Sequence, residues 1–248
     1  TSTGGFQAPR PFAWRKSGRI AWGILIRGVR NPGELGHLVM ILFLIGPLGT
    51  TVVQSSGDAL GPLVAGTGVG IGTYLAGATF GLNPLGDDRP QLPLLLLTTT
   101  ETRTVVRGRI FAGLAIGIPV AVLVSLASAL LGTALKYAIV FAVVGVGMCL
   151  AAALFAVGLG TVYPIYEERE FWGTETVVPS TLVMMGYMFI VGGGTIIGLI
   201  TTWYILTGHV IVTPVLSIGV GVYLLLTMGM SYGSYRHALR QYRRYTVG

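Results

Sequence analysis

Long apolar runs separated by short polar stretches dominate this chain. Each run holds close to the roughly 20 apolar residues that cross a bilayer core as a helix. A lipid-exposed strand would leave its backbone polar groups unsatisfied, so helices are the predicted form of every run. The pattern predicts an all-α integral membrane protein with six transmembrane helices. The predicted spans are Leu35–Val53, Leu60–Leu82, Ile110–Leu131, Tyr137–Thr161, Thr181–Leu206 and Val210–Ser231.

An amphipathic stretch, residues 12–36, precedes the first predicted span. Arg15, Arg19, Arg27 and Arg30 fall on one helical face, and a tryptophan and several isoleucines occupy the remainder. A basic stripe beside apolar residues is typical of a helix lying in the membrane interface. The alternative is a plain positively charged flank. The predicted division is therefore a linker or disordered segment at 1–11, an interfacial helix at 12–36, a six-span domain at 37–231 and a basic tail at 232–248.

The basic residues predict an orientation. Alternating six spans puts both termini, the 82–109 loop and the 162–180 loop on one side, together with fifteen of the sixteen Lys and Arg residues. Only Lys136 falls on the other side. Because cytoplasmic flanks carry the excess of Lys and Arg, we expect a multi-pass cell-membrane protein with both termini in the cytoplasm.

The net charge of +7 follows from this topology and does not require a nucleic-acid partner. The tail interleaves tyrosines with arginines, a pattern that single-stranded nucleic acid can also use. We interpret it instead as a juxtamembrane segment whose arginines contact anionic lipid headgroups.

Composition narrows the possible chemistry. The chain is 52% apolar and 10% charged, whereas soluble domains carry about 25% charged residues. The last four predicted spans contain no Asp, Glu, Lys, Arg or His, although ion-coupled transporters usually need such groups at membrane depth. The sequence has neither a P-loop nor a His/Cys cluster with metal-ligand spacing. We therefore expect no catalytic residue, no metal and no cofactor in this chain.

The 82–109 loop carries an unusual mixture of polar and apolar residues. Asn83-Pro84 is a turn signal, and Gly86, Asp87 and Asp88 follow it. The short apolar patch 94–97 comes next, and a helix capped by one of the threonines 98–100 is predicted to lead past Glu101 and Arg103 into the third span. Such a segment suits docking on a partner protein. The alternative is a solvated loop whose leucines rest on the bilayer.

Two further features are candidate sites. The 162–180 loop holds Glu167, Glu168, Glu170 and Glu175 among aromatic residues, which favours a second partner-contact or gating segment over acid–base catalysis because no histidine accompanies them. The run Gly192–Gly193–Gly194 lowers helix propensity by about 1 kcal/mol per residue relative to Ala. It predicts a break or hinge in the fifth span, with tight packing as the alternative.

The two loops resemble those of ABC-2 type ABC-transporter permease subunits, particularly archaeal ones. The resemblance rests on residues 83–88 with 92–98, and on Tyr163-Pro164 through 175–180. In that family an interfacial connecting helix precedes six spans, and a coupling helix between spans two and three docks on a separate ATPase subunit. Here the connection between spans five and six is short, about Thr207–His209, which departs from the family's large loop or re-entrant hairpins. The resemblance implies a coupling surface formed by Gly86, Asp87, Asp88, Leu94, Leu95, Thr98 and Glu101, with Arg103 beside it.

The expected function is therefore the membrane-spanning half of an ATP-driven exporter. ATP and Mg²⁺ would bind in the partner ATPase, and two membrane halves would pair, the second being an identical copy or a half encoded before Thr1. A non-transporting membrane scaffold or assembly subunit is one alternative. A lipid-modifying membrane enzyme that uses Glu167, Glu168 or the Asp87–Asp88 pair is the other.

Overall fold

The computed structural model describes residues 8–41, 46, 49–52, 54, 57–88, 101–166, 169–171, 174–176, 178–208 and 213–247. Eight helices are labelled in chain order, with α7 containing a π-helical segment. They are α1 (Arg10–Ala13), α2 (Lys16–Arg30), α3 (Leu60–Gly81), α4 (Pro84–Asp88), α5 (Thr102–Ala127), α6 (Leu135–Gly160), α7 (Thr181–Leu206) and α8 (Pro214–Val247).

Short 3₁₀ segments and one hairpin complete the described structure. The 3₁₀ segments are Pro32–Ile41, Gly57–Ala59 and Ser128–Leu131. Strands β1 (Arg169–Phe171) and β2 (Thr174–Thr176) pair antiparallel, with Glu170 opposite Glu175.

Among the described residues, five helices are long and apolar enough to cross a membrane. They are α3, α5 extended to Leu131, α6, α7 and α8, and they correspond to the second to sixth predicted spans. This is consistent with a membrane-embedded protein. The first predicted span, Leu35–Val53, falls partly outside the described residues. Its described beginning belongs to the 3₁₀ segment Pro32–Ile41, whereas residues 46 and 49–52 are α-helical. Six spans therefore remain a prediction.

Helices α3, α5 and α6 form the packed centre of the bundle. Their close approach depends on small residues, since large side chains would hold the helix axes apart. At Gly72, an added Cβ would lie 2.6 Å from the Gly117 carbonyl oxygen and 2.7 Å from the Ala121 Cβ. A methyl group at this crossing therefore has no room.

The amphipathic helix is present as α2 and packs on one end of this centre. Its buried face is Ser17, Gly18, Ala21, Ile24 and Gly28. Ile20 lies against Gly108 of α5, and Gly28 lies against the Phe80 ring of α3. The small and apolar face of α2 thus contacts protein, while Arg15, Arg19 and Arg30 are exposed.

Helix α7 changes its winding instead of breaking. Its first part buries Val183, Met184 and Tyr187, and the Tyr187 hydroxyl donates toward the Thr73 and Tyr74 carbonyl oxygens at 3.1 Å. Met188–Gly192 is π-helical, and the α-helix resumes at Gly193 with right-handed helical backbone on both sides. A Cβ at Gly192, Gly193 or Gly194 would meet nothing within 4 Å. Tight packing therefore does not explain the glycine run, and hinge motion there remains a prediction.

Helix α8 has 34 residues and passes without interruption through the predicted boundary at 231–232. It is about 51 Å long at 1.5 Å per residue, whereas the hydrocarbon core is about 30 Å thick. The predicted tail is thus a continuation of the last span. Its residues Ala238, Leu239 and Tyr242 are buried in one cluster with residues of α4, α5 and α6.

Candidate functional site

Several of the predicted loops and helix ends meet at one end of the bundle, here called the basic end. It contains α2, the C-terminal end of α3, α4, the start of α5, residues 163–166 and the end of α8. The sequence predicted that these segments share one membrane side. The contacts place them together, and they do not identify the compartment.

Arg109 occupies the centre of the basic end. Helix α5 begins at Thr102, eight residues before the predicted span, so Arg109 lies two turns inside a continuous helix. Val105 and Val106 share its inward face, while Arg103 and Arg107 point outward and are exposed. The Arg109 side chain has no exposed surface.

The guanidinium of Arg109 is fully engaged by acidic groups and one carbonyl. Its Nε and Nη2 donate to the Asp88 carboxylate at 3.1 and 2.5 Å, a two-bond fork. Its Nη1 donates to Asp87 Oδ2 at 3.0 Å and to the Phe80 carbonyl oxygen at 2.9 Å. Paired charge-assisted bonds of this kind are the stronger class of hydrogen bond.

The last helix joins the same arrangement. The Tyr242 hydroxyl donates to Asp88 Oδ2 at 2.9 Å and is buried. We call Arg109, Asp87, Asp88 and Tyr242 the Arg109 cluster. Through this cluster, α4, α5 and α8 share one hydrogen-bond network that also includes the end of α3. A displacement of any of these elements changes distances in the network.

A second contact fixes the residue before α4 to the segment that follows α6. Asn83 Nδ2 donates to the Ile165 carbonyl oxygen at 3.0 Å, and the Ile165 amide donates to Asn83 Oδ1 at 3.2 Å. Gly86 lies beneath this pair, and a Cβ there would collide with the Ile165 oxygen. The glycine is thus required by close approach to the 163–166 segment.

Asp87 is the more weakly held carboxylate. Burial raises its pKa above the usual 3.8, and the neighbouring Arg109 opposes that shift through charge and a hydrogen bond. The adjacent Asp88 charge raises the pKa further, while Arg27 of α2 lowers it. Asp87 and Asp88 share the guanidinium of Arg109, so the positive charge of Arg27 also helps to stabilise the ionised form of Asp87.

The predicted coupling residues divide into buried and exposed groups. Gly86 and Asp88 are buried, and the Asp87 side chain is 27% exposed. Glu101 and Arg103 are exposed at the start of α5. Glu101 itself is the N-cap residue and makes no side-chain capping bond, so the predicted threonine cap is wrong. Gly86 and Asp88 thus stabilise the base of the loop instead of forming an outer surface.

Other predicted residues lie outside what can be described. Leu94, Leu95 and Thr98 of the coupling segment, and Glu167 and Glu168 of the second loop, lie outside the described residues. For Glu170 and Glu175 the structure gives only their opposed positions in the hairpin. Within the described part of the chain, no group of three His, Cys, Asp or Glu residues is arranged to hold a metal ion.

Sequence reasoning missed the roles of Arg109 and Tyr242. Arg109 was treated as a loop residue because the third apolar run begins at Ile110. The adjacent pair Asp87-Asp88 in an otherwise weakly charged chain was a usable signal, since a buried carboxylate pair needs a cation. The arginine that supplies this cation is the one that the rotation of α5 about its axis turns toward the two carboxylates.

Comparison with protein-family models, curated proteins and solved structures gives no match to this chain. The likeness to ABC-2 type permeases therefore rests on the residues described above.

Proposed function

We propose that this chain is the membrane-spanning permease subunit of an ATP-driven exporter, with multi-pass topology and cytoplasmic termini. The partner ATPase subunit would bind ATP and Mg²⁺, and the 82–109 segment would receive its motion. The observation that supports this role is the Arg109 cluster, which ties the base of that segment to membrane-spanning helices α5 and α8.

Transmission requires a stiff connection between docking segment and spans. Asp88 receives two bonds from Arg109 and one from Tyr242. Because the attached groups are buried and paired, separating them costs more than separating an exposed ion pair. A push on α4 is therefore passed to α5 and α8 in preference to breaking the cluster.

The exposed start of α5 is the described part best suited to partner contact. Glu101 and Arg103 are exposed at a helix beginning beside the undescribed 89–100 segment. We propose that this region docks on the ATPase, while Asp88 and Tyr242 transmit the motion. A second permease half, either an identical chain or a distinct one, completes the transport unit.

Co-purification in mild detergent tests the proposal. We expect an ATPase subunit to accompany the wild-type chain and to be lost with the double variant Glu101→Ala, Arg103→Ala. The matched control is Lys136→Gln. Lys136 is exposed at the start of α6, on the predicted opposite membrane side, so this variant should retain the ATPase.

A second variant separates docking from transmission. Tyr242→Phe should keep the ATPase bound and reduce the effect of the chain on ATP turnover in reconstituted vesicles. If no ATPase accompanies the wild-type chain, the scaffold alternative replaces the exporter proposal. If carboxylate substitutions in the 162–180 loop abolish a lipid-modifying activity while binding partners remain, the enzyme alternative replaces it.

A further inference from the structure

A long cavity lies between α6, α7 and α8 and has a volume of about 760 Å³. Beyond the π-helical segment Leu199 of α7 still packs against the buried cluster that contains Val69 of α3, and the cavity lies on the side of α7 that faces α6 and α8. Its walls include Gly147 on α6, Thr202 on α7 and Gly219 on α8. The cavity is set entirely among predicted membrane-spanning helices and is distinct from the Arg109 cluster.

The cavity wall is mostly apolar, and four of its hydroxyl groups are hydrogen-bonded within the protein. Thr202 and Thr227 donate to carbonyl oxygens four residues earlier in their own helices, at 2.7 and 2.8 Å. Ser231 donates to the Ala151 carbonyl at 3.1 Å, and Tyr223 donates to the Gly194 carbonyl at 2.9 Å. These hydrogens are used within the protein, so methyl, methylene and ring surfaces face the cavity. An apolar occupant is favoured because it requires no polar partner.

The shape of the cavity suits a hydrocarbon chain. On α8 the lining extends from Leu216 to Tyr235, a rise of about 29 Å. The volume of about 760 Å³ is spread over this length, so the cavity is long and narrow, as an extended acyl chain is.

The basic end of the cavity supplies a site for an anionic headgroup. Tyr232 and Tyr235 line that end, and the Arg236 guanidinium lies 5.8 Å from the centroid of the Tyr232 ring. Arg240 follows one turn further along α8 and is also exposed. An arginine near the membrane surface attracts anionic lipid headgroups. Along α8, the apolar lining is therefore followed by positive charge, as the acyl chain of a phospholipid is followed by its phosphate.

We propose that this cavity binds an acyl chain of an anionic phospholipid, whose phosphate is held beside Arg236. The site involves only α6, α7 and α8, so lipid binding can be tested independently of the exporter proposal.

Photo-crosslinking tests the site. The full-length chain is placed in phosphatidylcholine nanodiscs containing phosphatidylglycerol with a diazirine in its acyl chain, and labelled peptides are identified by mass spectrometry. We expect label on cavity-lining peptides of α6, α7 and α8. Gly219→Leu should reduce that label several-fold, because Gly219 lines the cavity and a Cβ added there meets no atom within 4 Å.

Matched variants separate cavity filling from other effects. Gly229→Leu makes the same change on the same helix, in open space and away from the cavity lining, and should leave the label unchanged. Gly147→Leu fills the cavity from α6 and serves as an independent test if the Gly219 variant does not fold. Arg236→Gln should reduce labelling by phosphatidylglycerol more than labelling by a phosphatidylcholine probe, while Arg19→Gln should not.

The proposal is overturned if cavity label is unchanged in both cavity-filling variants, or if Gly229→Leu reduces it equally. Label spread evenly over all lipid-facing peptides would also overturn it. Crosslinking of α8 to a second copy of the chain in place of lipid would assign the face to an oligomer contact. Equal loss of both probes in Arg236→Gln would overturn the headgroup assignment.

Discussion

Helices α3 and α8 are both apolar enough to cross a membrane, yet they pack very differently. In its most apolar stretch α3 is 61% buried, and α8 is 6% buried. Hydrophobicity cannot account for this difference, since lipid tails are as apolar as the side chains they contact. Glycines of α3 such as Gly68 and Gly72 allow neighbouring helices to approach closely, whereas Gly219, Gly221 and Gly229 of α8 face open space. Small residues allow close packing only where the backbone of another helix lies against them.

The two helices also differ in how they are attached. Helix α3 is held along its length by backbone contact, and α8 is held most firmly near its C-terminal end, where Ala238, Leu239 and Tyr242 are buried. Polar bonds at the Arg109 cluster therefore attach the last helix in addition to its close contact with Gly158 of α6. Four predictions test this distinction.

Removing the central cation should have the largest effect. Arg109→Met leaves two carboxylates in the basic end without their partner, and loss of one member of a buried ion pair costs about 3–5 kcal/mol. We expect a strongly lowered melting temperature in detergent. Arg103→Met on the same helix, where the arginine is exposed, should change stability by less than about 0.5 kcal/mol. Adding Asp87→Asn and Asp88→Asn to Arg109→Met should restore part of the loss, and no restoration would mean that packing, not charge, is responsible.

Filling a helix crossing should have the next largest effect. Gly72→Ala introduces a methyl group 2.6 Å from the Gly117 carbonyl oxygen, and overpacking costs about 1–3 kcal/mol. Gly229→Ala in α8 meets nothing and should be neutral or stabilising by up to about 1 kcal/mol because alanine favours the helix. Thermal unfolding of the two variants measures the contrast directly. Equal responses would contradict the packing difference between α3 and α8.

Two tyrosine hydrogen bonds of α8, one buried and one partly buried, provide a finer test. Tyr242→Phe removes a hydroxyl from a carboxylate, a bond worth about 1.5–3 kcal/mol, and Tyr223→Phe removes one from a neutral carbonyl, worth about 0.5–1.5 kcal/mol. We therefore expect the larger loss of stability from Tyr242→Phe. Combining Tyr242→Phe with Asp88→Asn should cost less than the sum of the single changes, since both remove the same bond. Full additivity would show that the bond contributes nothing to stability.

The smallest predicted effect is a pH dependence at Asp87. Its folded pKa lies above 3.8, so the folded chain binds this proton more tightly than the unfolded chain does. The resulting stabilisation is present below the unfolded pKa and is lost as the pH rises through the folded pKa. Asp87→Asn removes the dependence, so its melting temperature should rise relative to wild type as the pH increases from about 4 to neutral. A difference that stays constant with pH would contradict the raised pKa.

Much of the helical arrangement could be predicted from apolar run length alone. Thr181–Leu206 has the predicted bounds, and Leu60–Gly81 differs from the prediction by one residue. The ends of helices that carry polar residues were predicted less accurately. Helix α5 begins at Thr102 and not at Ile110, because Arg103 and Arg107 lie on its exposed face and do not interrupt the helix.

The site could be predicted only as a segment. The Asp87–Asp88 pair marked the region, but its partner Tyr242 is 154 residues from Asp88, beyond the reach of any local pattern. The inward direction of Asp88 follows from the burial of Arg109, which depends on how α2, α3, α5 and α8 pack around it. Tertiary contacts of this kind have no signature in the periodicity of one helix.

The unbroken length of α8 has a mechanical consequence. Its backbone at Ser234 is in close contact with Gly158 of α6, so we expect α8 to pivot about this contact. Leu216 lies about 27 Å from Ser234 along the helix and Tyr242 about 12 Å, at 1.5 Å per residue. As a hypothesis, a tilt that moves the Leu216 arm of this rigid helix by about 2 Å would move the Tyr242 arm by roughly 1 Å in the opposite direction, and would so displace the Tyr242–Asp88 contact. Spin-label distances from α6 to both arms would measure the motion, and arms that move independently would show that the helix does not act as a lever.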